Sequence, residues 1–119
     1  MAWELEGTNE FKAWYDGLPE DLQDVVTAKI EMLEELGPRL GRPHADTLAK
    51  QSRHSNMKEL RIQHRGDAYR IFFAFDPRRV GILLMGGRKP DDRWYRHAVP
   101  RADKLYDIYL DELRREGKL

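Results

Sequence analysis

Lys58-Glu59-Leu60-Arg61-Ile62-Gln63-His64-Arg65-Gly66-Asp67-Ala68-Tyr69-Arg70-Ile71-Phe72-Phe73-Ala74-Phe75-Asp76-Pro77-Arg78-Arg79-Val80-Gly81-Ile82-Leu83-Leu84-Met85-Gly86 holds three apolar-rich runs divided by two groups of turn residues. The runs, Lys58 to His64, Ala68 to Phe75 and Val80 to Gly86, read as strands. Gly66-Asp67 and Asp76-Pro77-Arg78 carry turn chemistry, so the stretch predicts an antiparallel meander of two hairpins.

With two-residue loops at Gly66-Asp67 and Pro77-Arg78, strand alternation sorts the side chains by face. Leu60, Ile62, Ile71, Phe73, Phe75, Val80, Ile82 and Leu84 make a core face. Glu59, Arg61, Gln63, Arg70, Phe72, Leu83, Met85 and, past Gly87, Lys89 make the other. A three-residue loop in either hairpin flips one strand and breaks this sorting. Arg70, between Tyr69 and Ile71, needs a counter-charge or an open cleft, because an unpaired buried cation is costly. Glu59 on the same face can supply that charge, so an internal Arg70–Glu59 pair stands beside an anion-binding role.

Upstream, Trp3 and Leu5 alternate with Glu4 and Glu6, which predicts a short strand over Ala2 to Glu6. Thr8 is an N-cap candidate for a helix carrying Phe11, Trp14, Tyr15 and Leu18. Pro19 then opens a longer helix whose Leu22, Val25, Val26, Ile30, Leu33 and Leu36 form one stripe until Gly37-Pro38. Residues 38–56 show no period and read as an irregular basic link, with room for a helical turn near Asp46 to Lys50. Downstream, Pro100-Arg101-Ala102 opens a last helix with Leu105, Ile108, Tyr109 and Glu112, ending near Gly117. The predicted class is α+β, a small meander sheet with two N-terminal helices on one face and a C-terminal helix.

A chain of 119 residues without a compositional break is expected to form one domain over residues 1–119. It has no cysteine, which excludes disulfides, thiol catalysis and thiolate metal sites. Its longest apolar run, Val80 to Met85, is too short to cross a bilayer, and the amino end shows no export signal, so a cytoplasmic setting is expected. The formal net charge is zero, yet it is unevenly spread. Residues 1–37 hold 2 Lys/Arg and 10 Asp/Glu, whereas residues 38–101 hold 15 and 6. Such polarity suits a basic face for an anionic partner on an acidic scaffold; a merely uneven solvated surface is the alternative.

No Walker or Rossmann glycine pattern, zinc-spaced ligand pair or nucleophile elbow occurs, so any chemistry must use ordinary polar side chains. The informative loop is Gly86-Gly87-Arg88-Lys89-Pro90-Asp91-Asp92-Arg93-Trp94-Tyr95-Arg96-His97. RNA cleavage without metal needs a group to take the 2′-hydroxyl proton, a group to protonate the leaving 5′-oxygen, and cations for the phosphorane. Arg70, Arg88 and Lys89 are candidates to hold the phosphate, Tyr95 and His97 to move protons, and Trp94 to stack on a base. Each has a plainer reading: Trp94 and Tyr95 as packing aromatics, His97 as a solvent-facing residue, Arg93 and Arg96 as solubilising charges. His44, His54 and His64 read as surface residues.

The element order and the strings Trp3-Glu4-Leu5, Phe11-Lys12-Ala13-Trp14, Lys58-Glu59-Leu60-Arg61, Tyr69 to Asp76 and Leu83 to Lys89 resemble the RelE/HigB-type toxins, in particular their phage-derived Gp49-like branch. The resemblance covers essentially the whole chain. It implies a type II toxin that cuts messenger RNA on the ribosome without a cofactor. The implied partners are the ribosome, its message and a helix-turn-helix antitoxin through which alone operator DNA is met. RelE works with lysines on its first meander strand, an arginine on the second, an arginine after the third and a tyrosine before the last helix. Arg70, Lys89 and Tyr95 match the last three, with Arg88 beside Lys89. Met57 and Glu59 stand where the lysines belong, so the general base is not identified; Lys58 and Arg61 are the compensating cations, Arg93 and Trp94 further RNA contacts, and His54 and His97 secondary candidates. The same fold serves ParE-type gyrase inhibitors, which remain the alternative along with a non-catalytic RNA-binding remnant. An Arg70 guanidinium sealed inside by Glu59, out of reach of solvent, is incompatible with the nuclease site.

Overall fold

The computed structural model describes residues 2–119. Strand β1 (Leu5–Gly7) is followed by α1 (Asn9–Asp16), α2 (Glu20–Leu36), β2 (Ala45–Thr47), β3 (Lys58–His64), β4 (Asp67–Phe75), β5 (Gly81–Arg88) and α3 (Tyr95–Arg115). The strands form one sheet in the order β1-β5-β4-β3-β2. All neighbours are antiparallel except β1, which runs parallel to β5. The meander is therefore the centre of a mixed sheet, and the link expected to be irregular contributes edge strand β2 where a helical turn was expected.

Local chemistry sets the helix ends. The Thr8 side chain accepts the Phe11 N–H at 3.0 Å and donates to the Leu84 carbonyl at 2.6 Å, tying the start of α1 to β5. Gly37 ends α2 at φ 58, where Trp3 lies so close that a Cβ would come within 2.4 Å of its ring. The last helix begins at Tyr95, five residues before Pro100, which lies inside it. A turn of 3₁₀ helix over Asp92–Trp94 leads into it, capped by the Asp91 side chain on the Arg93 N–H at 2.8 Å. Pro100 has no N–H for the Arg96 carbonyl, but Arg96 is exposed and water can serve it.

Both sheet faces are covered. Leu22, Val26 and Leu33 of α2 and Phe11 of α1 pack on Leu60, Ile62, Ile71, Phe73 and Leu83. Ala98, Val99, Ala102, Tyr106, Tyr109 and Leu113 of α3 pack on the other side, against Phe72, Ala74, Ile82 and Leu84. Both hairpin loops differ from expectation. The first is Arg65-Gly66, both at positive φ (50 and 82), so Leu60 sits opposite Ile71 instead of Phe73. That shift is even, and every side chain of β3 and β4 keeps its expected face.

The second loop has three residues, Pro77 to Arg79, closed by hydrogen bonds from Asp76 N to Val80 O (2.8 Å) and Arg79 N to Asp76 O (2.7 Å), with Arg79 at φ 67. It turns β5 over, placing Ile82 opposite Ala74 and Leu83 opposite Phe73, contrary to the expected sorting. An irregularity in the ladder then leaves Leu84 over, because Phe72 pairs with Met85 while Phe73 pairs with Leu83. The bulge restores the expected side for Met85 and Lys89. Val80 joins neither core cluster. No helix among the described residues is long and apolar enough to cross a membrane.

Candidate functional site

Where α3 begins, the sheet face beneath it is only partly covered, and a cleft of about 910 Å³ opens over β3, β4 and the end of β5. Its floor is Glu59 and Arg61 from β3 and Arg70 from β4; Lys89 and Asp92 flank one side, Tyr95 and Arg96 of α3 overhang, and Asp46, Thr47 and Gln51 form the far wall. Gly87 stands opposite Arg70, and a Cβ there would lie 2.7 Å from Trp94. Only glycine lets Trp94 settle against Phe72 at 5.3 Å between ring centres. Tyr95 stacks on the same Phe72 at 6.1 Å with the rings 18° apart, which fixes the phenol over the floor.

The polar groups form one network. Tyr95 Oη donates to Glu59 Oε1 at 2.6 Å and accepts from Arg70 Nε at 3.2 Å. Arg70 Nε also lies 3.4 Å from Glu59 Oε1, and its Nη1 donates to the Tyr69 carbonyl at 3.0 Å. Arg61 bridges Glu59 Oε2 at 3.1 Å and Asp46 Oδ2 at 3.2 Å, and Arg42 binds the same Asp46 oxygen at 2.9 Å. Arg42, Asp46, Arg61, Glu59 and Arg70 thus alternate in sign and leave one positive charge over. The internal Arg70–Glu59 pair foreseen as one reading does form. It does not seal the guanidinium, whose side chain is 12% exposed, borders the cleft, and has no partner for Nη2 among the described residues.

Glu59 itself is 2% exposed. Burial, then the hydrogen bond to Glu59, pushes the Tyr95 phenol up to about 12, against a smaller opposite effect of Arg70, so the hydroxyl keeps its proton at neutral pH. Lys89 Nζ lies 5.4 Å from the centre of the Tyr95 ring and 2.9 Å from Asp92 Oδ1. Asp92 is 90% exposed, and an ion pair to so solvated a carboxylate is readily exchanged for another anion.

The structure brings Arg61, Arg70, Lys89 and Tyr95 together and sets the other candidates apart. Lys58 donates to the Pro38 carbonyl at 3.2 Å, and Arg88 pairs with Asp67 at 3.3 Å; neither lines the cleft. The alternation that turns Glu59 and Lys89 toward the cleft turns their neighbours Lys58 and Arg88 away. His97 is exposed and outside the cleft, and Arg93 folds back on Asp91 at 2.8 Å. Trp94 is a packing aromatic against Phe72 and Tyr95, with its ring engaged within the protein. His54 bonds Asp107 at 2.7 Å and meets the Tyr106 ring edge-on at 4.7 Å, away from the cleft lining.

Met57, at one of the positions where RelE has a lysine, is fully buried. Arg96, read as a solubilising charge, does line the cleft, as do Asp46 and Gln51. Only the early start of α3 and the pairing of β2 with β3 bring them there, and neither carries a local sequence signal. Among the described residues no group of three or more His, Asp or Glu gathers where it could hold a metal ion.

Residues 13–107 match the family described as phage-derived protein Gp49-like. HigB2 of Mycobacterium tuberculosis, named as a toxin, is 45% identical over 113 residues, which is 92% of this chain and 55% of that protein. HigB3 of the same organism, also named as a toxin, is 43% identical over 103 residues, 85% of this chain and 88% of its own length. The chain therefore spans about half the length of the first relative and most of the second. Among solved structures, a free Escherichia coli RelE toxin carrying two arginine-to-alanine substitutions superposes with a TM-score of 0.54 at 18% identity, over 85% of this chain and 98% of that one. RelE in the intact E. coli RelBE toxin-antitoxin complex superposes with a TM-score of 0.51 at 15% identity, over 76% of this chain and 100% of that one. At such identities the likeness is one of fold. The family match across most of the chain, together with the identity to both HigB relatives, makes this protein a member of the phage-derived Gp49-like family, with HigB toxins among its relatives.

Proposed function

We propose that this protein is the toxin of a type II toxin-antitoxin pair and cuts messenger RNA on the ribosome, with the scissile phosphate held in the cleft above Glu59. The observation that carries the reading is the convergence of Arg70, Lys89 and Tyr95, distant in sequence, on one open cleft with Arg61 in its floor and Arg96 overhanging it. Arg70 offers an Nη2 without a partner among the described residues, Lys89 a cation paired with an exposed aspartate, and Tyr95 a phenol fixed between a carboxylate and a guanidinium. Together they supply what a developing phosphorane requires: fixed positive charge and a group in the path of a proton. The toxin names of HigB2 and HigB3 support the same reading, and a RelE neighbour solved in a toxin-antitoxin complex supports a cognate antitoxin as partner.

The test is incubation of the purified protein with translating ribosomes and a mapped message. Cuts confined to the ribosomal A site are expected, and they disappear in Arg70→Ala. An intact message together with blocked supercoiling by DNA gyrase would instead assign the chain to the ParE-like activity.

A further inference from the structure

We propose that Glu59 is the proton acceptor of this cleft, taking the proton of the attacking ribose hydroxyl through the phenol of Tyr95 without itself touching the RNA. The inference rests on the nuclease reading above and settles which group serves as its base.

Three features of the network lead there. First, the directions of the hydrogen bonds leave Tyr95 only one thing to offer a substrate. A phenol oxygen has one proton and two lone pairs. The proton is given to Glu59 Oε1 at 2.6 Å and one lone pair takes the Arg70 Nε–H at 3.2 Å. What remains is a single lone pair, so the oxygen is set to accept a hydroxyl proton.

Second, the phenol cannot hold a negative charge there, since its pKa is pushed up to about 12 by burial and by Glu59. It can accept a proton only as it passes its own to the carboxylate. Third, no other group of the cleft can be that acceptor. No histidine lines it. Asp46 spends its oxygens on Arg42, Arg61 and the Thr47 N–H, and Asp92 stands at the rim beside Lys89. Among the carboxylates that line the cleft, only Glu59 bonds Tyr95, and at 2% exposure it lies in the floor beneath that phenol, away from bulk water. The charged groups facing it are Arg61 from β3 and Arg70 from β4, with Asp46 behind Arg61 and Lys89 beyond the Tyr95 ring.

The step balances as follows. The ribose O2′–H bond breaks, its proton moves to Tyr95 Oη, and the phenol proton moves to Glu59 Oε1. The O2′ electron pair forms the new bond to phosphorus while the P–O5′ bond breaks, and the departing O5′ takes a proton from the Lys89 ammonium. The products are a 2′,3′-cyclic phosphate and a free 5′-hydroxyl; Lys89 regains its proton from solvent and Glu59 returns its own through Tyr95. Glu59 is thus a positioning and relay residue, and Tyr95 the catalytic one.

The test compares single-turnover cleavage on translating ribosomes across a pH series for the parent, Glu59→Gln, Tyr95→Phe and the double variant, with each fold checked by circular dichroism. Glu59→Gln keeps an acceptor for the phenol but not a base. It is expected to lose about 100-fold or more in rate and to differ from the parent in the acid limb of its pH–rate profile, which a change of fold or packing alone would leave in place. Ribosome binding, measured by co-sedimentation, should be retained. The double variant should be no slower than the slower single one, because groups in one relay fail together. If Glu59→Gln does not fold, Tyr95→Phe carries the same test through its own pH profile. Either folded variant cutting as fast as the parent with an unchanged pH profile overturns the proposal, as do multiplicative losses in the double variant. A parent protein that leaves the message intact sinks the nuclease reading itself and is recognised by that control.

Discussion

Arg70→Ala separates a buried ion pair from a surface one. The substitution removes the guanidinium that lies 3.4 Å from Glu59 Oε1 and 3.2 Å from the Tyr95 hydroxyl, and leaves a carboxylate that is 2% exposed. Removing one partner of a buried pair costs about 3–5 kcal/mol when the remaining charge has nothing else. Glu59 keeps Arg61 at 3.1 Å and Tyr95 at 2.6 Å, so the expected loss is smaller, about 2–3 kcal/mol. For a chain of this length that lowers Tm by roughly 10 °C, short of unfolding a domain with about 5–15 kcal/mol in hand.

Urea unfolding at neutral pH measures the loss, and Glu59→Gln provides the second arm of a double-mutant cycle. With the carboxylate neutralised, the same Arg70→Ala change should cost about 1 kcal/mol or less, a coupling of about 1–2 kcal/mol. Equal costs in both backgrounds would mean that the two residues do not feel each other, and the network described for the cleft would be wrong.

Four further outcomes are expected. The Asp76 carboxyl feels burial pushing it up, but the Tyr109 hydroxyl, the Arg78 guanidinium and the backbone N–H groups of Val80 and Arg78 outweigh this and hold it below the usual carboxylate range. A folded pKa below the unfolded one stabilises the protein above the unfolded value and loses that contribution as pH falls through the folded value. Asp76→Asn should therefore flatten the acid limb of a stability–pH curve followed by urea unfolding. Gly87→Ala forces a Cβ within 2.7 Å of Trp94 and should cost about 1–3 kcal/mol while shifting Trp fluorescence. Thr8→Ala removes the cap on Phe11 N and the bond to the Leu84 carbonyl, for about 1–2 kcal/mol by thermal unfolding. Growth arrest on induced expression should be relieved by Lys89→Ala but unchanged by Lys58→Ala or Arg88→Ala, whose side chains lie outside the cleft.

Much of this architecture can be read along the chain because its causes are local. The stripe from Leu22 to Leu36, the Thr8 cap and the Gly37 stop depend on residues within a turn or two of one another, and α2 spans Glu20–Leu36 accordingly. The three central strands follow from composition and from turn residues at their ends. The side on which Glu59, Arg61 and Arg70 gather was also legible, because a period of two carries face information along each strand; Lys89 reaches the same side only because the longer second loop and the bulge at Leu84 cancel. Lys58 and Arg88 obey that same period and so point away from the cleft, and the family position that drew attention to them does not alter which way a strand residue points.

Other features belong to contacts between distant segments. Arg79 in the left-handed region lengthens the second hairpin loop, and the bulge at Leu84 reverses its effect; each moves side chains across the sheet by one position, below what composition can encode. Edge strand β2 exists because β3 offers it a ladder, and α3 starts at Tyr95 because Phe72 and Gly87 give Trp94 and Tyr95 a place to pack. Chain order and hydrophobic period were thus sufficient for β1, α1, α2 and the three central strands and for the polar side of β3 and β4. The closing of α3 over that side selected which charged groups share one cleft, since proximity between residues tens of positions apart is a property of packing and has no local chemical signature.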